Sequence, residues 1–136
     1  MLKNFLAAFF FIAIIFFSST TSAEIKNFVG TGEHYLKQTE TIEYGRNSAK
    51  ILAELDVAEQ VEIHIISYSE AHGAKLTKDE IITISVALMN ILDEKYSIRP
   101  DFDGVLIIAA IVTAEVDTEK IPELVEREVK RRMNKK

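Results

Sequence analysis

The chain has 136 residues, 16 Lys and Arg against 21 Asp and Glu, a formal net charge of −5 at pH 7, and no cysteine. The acidic balance excludes a general nucleic-acid binder, because phosphate contacts need surplus Lys and Arg. The missing thiols exclude disulfides and lipid attachment through a lipobox cysteine, so stability must come from a packed core.

The first 23 residues carry the pattern of an export signal. Lys3 gives a positive start, Phe5–Phe17 is unbroken and apolar, and Ser18–Ala23 supplies small residues before a cut. A retained anchor is the alternative, but the apolar run falls short of the roughly 20 residues a spanning helix needs. Cleavage after Ala23 leaves Glu24–Lys136 as a single domain, long enough to bury about two thirds of its unfolded surface. Most of the phenylalanines go with the leader. Phe28, Phe102 and four tyrosines remain, too few for an aromatic binding platform.

Glu24–Leu36 alternates loosely and is expected as a first strand. Gly30-Thr31-Gly32 is a fragment of a dinucleotide fingerprint whose third glycine position holds Tyr35, so a bulge or a close approach accounts for it better. Thr39–Gln60 is predicted as a helix, with Ala49, Leu52, Ala53 and Val57 at three- and four-residue spacing. Gly45 costs this helix about 1 kcal/mol against Ala, which points to a close contact with a sheet.

Val61–Glu70 alternates and is predicted as a half-buried strand, with Glu62, His64, Tyr68 and Glu70 on its polar face. Ala71–Ala74 is a loop. Thr77 and Glu80 form a capping box for a helix running to about Leu92. Lys95–Arg99 is a short strand stopped by Pro100, and Asp101-Phe102-Asp103-Gly104 has hairpin-turn chemistry. Val105–Val116 is long and apolar, as for a central strand covered on both faces or an interface. Asp117 and Thr118 cap a last helix with Pro122 in its first turn. Its end carries Arg127, Lys130, Arg131, Arg132, Lys135 and Lys136, which suit the helix dipole and offer a weak contact for an anionic envelope surface. The expected fold is α+β, a two-layer sandwich in the order β-α-β-α-β-β-α, with helices packed on one mixed sheet.

No catalytic, cofactor-binding or metal residues are assigned. His34, His64 and His72 form no i,i+4 pair, and Glu62 with His64 is too small a set for a closed zinc site. Ser67 and Ser69 lie near His64 without a nucleophile elbow.

Gly30-Thr31-Gly32 with Tyr35, the alanine-rich stretch through Ala49, Ala53 and Glu59-Gln60, Val61–Glu70, Leu76–Glu80 and Ala114–Thr118 follow one another in an order that resembles the LPP lipoprotein family of bacterial envelope domains. The same order is similar to the N-terminal domain of the flagellar assembly protein FlgT. The resemblance implies an exported, non-enzymatic α/β module attached to or assembled in the envelope, with no cofactor and no catalytic residues to carry over. The expected function is therefore a structural or protein-binding envelope module, periplasmic or extracellular and not lipid-anchored. Its partner is an envelope protein or a second copy of the chain, not a nucleic acid. The alternative is a small periplasmic enzyme or ligand carrier using His64, Ser67 and Tyr68.

Overall fold

The computed structural model describes residues 24–135. The leader expected over residues 1–23 lies outside them, as does Lys136. The described residues form an α+β fold of three α-helices and a three-stranded antiparallel sheet. The elements are β1 (Ile25–Tyr35), α1 (Ile42–Ala71), α2 (Lys78–Leu88), β2 (Met89–Pro100), β3 (Leu106–Asp117), a 3-10 turn (Thr118–Lys120) and α3 (Ile121–Met133). The sheet order is β1-β3-β2, with β3 antiparallel to both neighbours, so the sheet is not mixed as expected.

The expected strand over Val61–Glu70 is helical. It continues α1 without a break, and the element order becomes β-α-α-β-β-α. The buried residues Ala49, Ala53, Val57, Val61, Ile65 and Ser69 recur every four positions, one continuous helical stripe. Alternation of Val61, Ile63 and Ile65 imitates a strand locally, but Ile63 is two-thirds exposed while Val61 and Ile65 are fully buried. Glu62, His64, Tyr68 and Glu70 therefore do not share a sheet face. Gly73, at φ +67°, ends the helix in the left-handed region that glycine adopts without cost.

The capping box forms as expected: Glu80 N–H donates to Thr77 Oγ1 at 3.2 Å, and Thr77 N–H donates to Glu80 Oε2 at 2.8 Å. Its helix stops at Leu88, four residues early. Met89–Leu92 join β2 instead, and a bulge at Leu92 adjusts the register against β3. The Asp101–Gly104 turn closes the β2–β3 hairpin, with Asp101 N–H donating to Val105 C=O at 2.7 Å and Gly104 at φ +78°.

β3 is the central strand. Its inward residues Ile108, Ala110, Val112, Ala114 and Val116 are buried with α1, the lower three against Ala49 and Ala53 and the upper two with Val57, Val61 and Ile65. The expected cover on both faces is only partial: on the opposite face Ile107 is buried but Ile111 is nearly half exposed. On that face Arg99 Nη2 lies 2.6 Å from Glu33 Oε1, a pair drawn from strands on either side of β3.

The closest approach in the molecule is α1 on β1. A Cβ on Gly30 would land on the Ala53 carbonyl oxygen and within 2.7 Å of Val57 Cγ2, and one on Gly32 would land on the Ala49 carbonyl oxygen. Gly45, on the helix side, meets the buried Ile108 Cδ1 and Leu36 Cδ1. Backbone cannot yield to a methyl group, whereas an isoleucine tip can turn. Gly32→Ala is therefore expected to lower stability by about 3 kcal/mol or more, and Gly45→Ala by less, its clash partly offset by the better helix propensity of alanine. Denaturant midpoints of the two variants against the parent check both the sign and the order.

Candidate functional site: one braced strand edge and one open

A three-stranded sheet has two edges, and unpaired backbone groups along an edge are a template for another strand. α1 takes two outward groups in the middle of the β1 edge. Thr31 N–H donates to Asp56 Oδ2 at 2.8 Å, and Gln60 Nε2 donates to the Val29 carbonyl at 2.9 Å. Asp56 and Gln60 are four residues apart, so they leave the same side of the helix and reach two successive outward groups of the strand. The glycines beneath make this reach possible by letting the helix sit low on β1.

The β2 edge has no such cover. Among the described residues, no side chain or loop hydrogen-bonds its outer backbone. α1 lies over β1 and β3 and barely touches β2. The inward residues Tyr96 and Ile98 are consequently more than a third exposed. Beside this edge runs an apolar cleft of about 390 Å³ between α1, α2 and the start of β2, lined by Ile51, Leu55, Ala58, Val86, Met89 and Ile91 among others.

One polar cluster ties α1 to β2. Lys50 pairs with Glu94 and, at 3.8 Å, with Glu54; Tyr96 Oη donates to Glu94 Oε2 at 3.0 Å; and the Arg46 guanidinium sits 5.8 Å from the Tyr96 ring centre. The Lys50 hydrogen bond, helped by Tyr96, holds the Glu94 carboxyl below its ordinary range. The same hydrogen bond pushes Lys50 up. Desolvation first, then Glu94, pushes the Tyr96 phenol up.

The histidines are dispersed. His34 Nε2 donates to Glu40 Oε2 at 2.7 Å, and Glu40 also accepts the Lys37 N–H. That backbone bond, then His34, lowers the Glu40 carboxyl. His64 meets the edge of Phe28, and His72 stacks on Tyr68 at 4.0 Å while its Nδ1–H donates to the Tyr68 carbonyl. Ser67 Oγ donates to the Ile63 carbonyl of its own helix at 2.8 Å. The described residues contain no group of three His, Asp or Glu placed to hold a metal ion. A second concavity, between the end of α1 and α3, is lined by Tyr68, His72, Val125, Val129 and Lys130.

The basic end of α3 is largely paired. Lys130 meets Glu126 at 2.7 Å, Arg132 reaches Glu80 at 3.4 Å and the Lys75 carbonyl at 2.9 Å, and Arg131 lies 2.7 Å from the buried Glu128. Glu128 Oε2 gains no aligned hydrogen bond from that contact. No helix among the described residues is long and apolar enough to cross a membrane.

Asp56, Gln60, Lys50, Glu94 and Tyr96 carry no functional reading in the sequence, Gln60 standing there only in the motif order of the resemblance. The signal for the first two was present, a pair of hydrogen-bonding side chains at i,i+4 beside a helical stripe, next to a strand with Gly-x-Gly. Compared with known proteins, the chain matches no family model and no curated protein.

Glu40 and Glu94 are lowered, so each contributes stability above the ordinary carboxylate value near 4.5 and loses it as pH falls through the lower folded value. Lys50 is raised, so its contribution is complete below 10.5 and disappears as pH rises beyond it. Urea titrations from neutral to acidic pH should show the parent losing stability below about pH 4.5, and Glu94→Gln losing less. The same substitution should flatten the alkaline limb above pH 10.5, because Lys50 then lacks its partner.

Proposed function

We propose that the chain is an exported bacterial cell-envelope module, periplasmic or extracellular, without lipid anchor or catalytic role, which acts structurally or by binding another protein. The observation that carries this reading is the contrast between the two sheet edges: Asp56 and Gln60 take two outward groups of β1, while among the described residues the outer backbone of β2 has no partner beside apolar surface. Main-chain pairing at an edge gives affinity, and neighbouring apolar recesses give selectivity. The leader pattern before Glu24 supports export. The order of sequence motifs supports membership in the LPP-like and FlgT-like group. On this reading the body is a two-layer sandwich whose helical layer leaves the sheet margin at β2 uncovered.

A weak contact of the α3 end with anionic envelope surfaces remains part of the proposal, reduced by the acids that already pair Lys130, Arg131 and Arg132. A second reading, a small ligand carrier, is favoured by one feature, the cleft at Ile51, Leu55, Val86 and Met89. Its volume falls in the range of small-molecule sites, although a single carboxylate, Glu54, is its only charged lining group.

Fractionation with N-terminal sequencing tests the export reading. The expected polypeptide begins at Glu24 and is recovered from the envelope or medium; one beginning at Met1 in the cytosol overturns it. Because the chain has no cysteine, Ser97→Cys introduces a single thiol on β2 for cross-linking in cells. A discrete cross-linked product is expected. Its absence under all growth conditions counts against a contact role.

A further inference from the structure

We propose that β2 pairs with β2 of a second copy of the chain, antiparallel about a two-fold axis centred on Tyr96. This pairing rests on the reading of the chain as a contact module and names its partner.

The bulge at Leu92 and the ring of Pro100 delimit the usable edge to Asp93–Arg99, where the register against β3 is regular. When a strand pairs with its own copy in one continuous sheet, side chains keep their faces, so the two-fold axis must pass through a residue and not between two. Few centres remain. Glu94 at the axis opposes Glu94 to itself. Lys95 opposes Lys95 to itself. Ser97 opposes Lys95 to Arg99, and Ile98 leaves only Ser97–Arg99 of the usable edge paired. Tyr96 opposes Asp93 to Arg99 at both ends, Lys95 to Ser97, Glu94 to Ile98, and the two Tyr96 rings to each other. No like charges meet, and two opposite pairs form. Arg99 is already positioned on that face by Glu33, and Asp93 has only the 3.5 Å contact with Lys95.

The hairpin tip supplies a second, independent observation. Phe102 is fully exposed, an aromatic ring held out in water between two aspartates. Centred on Tyr96, the pairing carries this tip past the partner strand's start. There Met89 and Ile91 line the apolar cleft together with Val86. An exposed knob and an empty recess thus meet in the one register that the charges also select, and buried aromatic anchors of this kind dominate interface energy. The product is a six-stranded sheet ending at both sides in β1.

Sedimentation equilibrium of the polypeptide as recovered from the envelope or medium, over a range of concentrations, reads the mass. A reversible dimer is expected. Asp93→Arg and Arg99→Asp should each weaken self-association about tenfold or more, since like charges then face one another at both ends. An equimolar mixture of the two variants should recover it, because every facing pair is again of opposite sign. Phe102→Ser should weaken dimerisation by roughly tenfold with no change in the melting temperature of dilute, monomeric protein, as the ring is fully exposed in the single copy. A dimer that ignores all three substitutions, or a mixture that stays monomeric, overturns the pairing. A monomeric purified chain whose Ser97→Cys variant captures a different protein in cells overturns self-pairing and leaves the contact role standing. A monomer that captures nothing overturns both.

Discussion

The fold depends on how close α1 lies to β1. Two glycines on the strand and Ala49 and Ala53 on the helix bring backbone close against backbone, and Gly45 makes room for the Ile108 and Leu36 side chains. Small residues forgo much of the apolar area that leucine or phenylalanine would bury. They gain close packing, which matters in a chain that has no cross-link to fall back on. That low seat also fixes where the rest of α1 points. Asp56 and Gln60 arrive at the β1 edge, Lys50 and Glu54 turn toward β2, and the apolar stripe runs on to Ile65 over the upper half of β3.

Much of this was legible in the residues. β1, the capping box, the Asp101–Gly104 turn, the long apolar strand and the proline-started last helix fall close to where local chemistry places them, because each is set by neighbours in sequence. The failure at Val61–Glu70 has a specific cause. Glu62, Ile63, His64 and Ile65 satisfy a period of two over a short window, and isoleucine and valine favour strands. The four-residue recurrence from Ala49 to Ser69 needs a window twice as long to be seen, and only the sheet beneath it makes that recurrence decisive. The premature end of α2 is similar. Met89–Leu92 could extend a helix, but pairing with Ala114–Val116 claims them for β2.

The candidate site was less legible than the fold. No single residue on β2 announces a role. What distinguishes the strand is a relation, namely that among the described residues nothing hydrogen-bonds its outer backbone while the other edge is braced from α1. Such a relation depends on strand order, and the order β1-β3-β2 cannot be read from a chain in which β2 was expected to be only half as long. Lys50, Glu94 and Tyr96 became interesting only when α1 was found to pass beside them.

Under the proposed pairing, the bulge at Leu92, the proline at position 100 and the braced β1 edge would jointly set the stoichiometry. A particle with one adhesive margin has a valence of one. It can saturate a single neighbour and then stop, where a particle adhesive on both margins would grow without limit. Under the proposed pairing, Asp56 and Gln60 serve as a terminator as much as a brace, favouring discrete complexes over the fibrils that two open margins would allow.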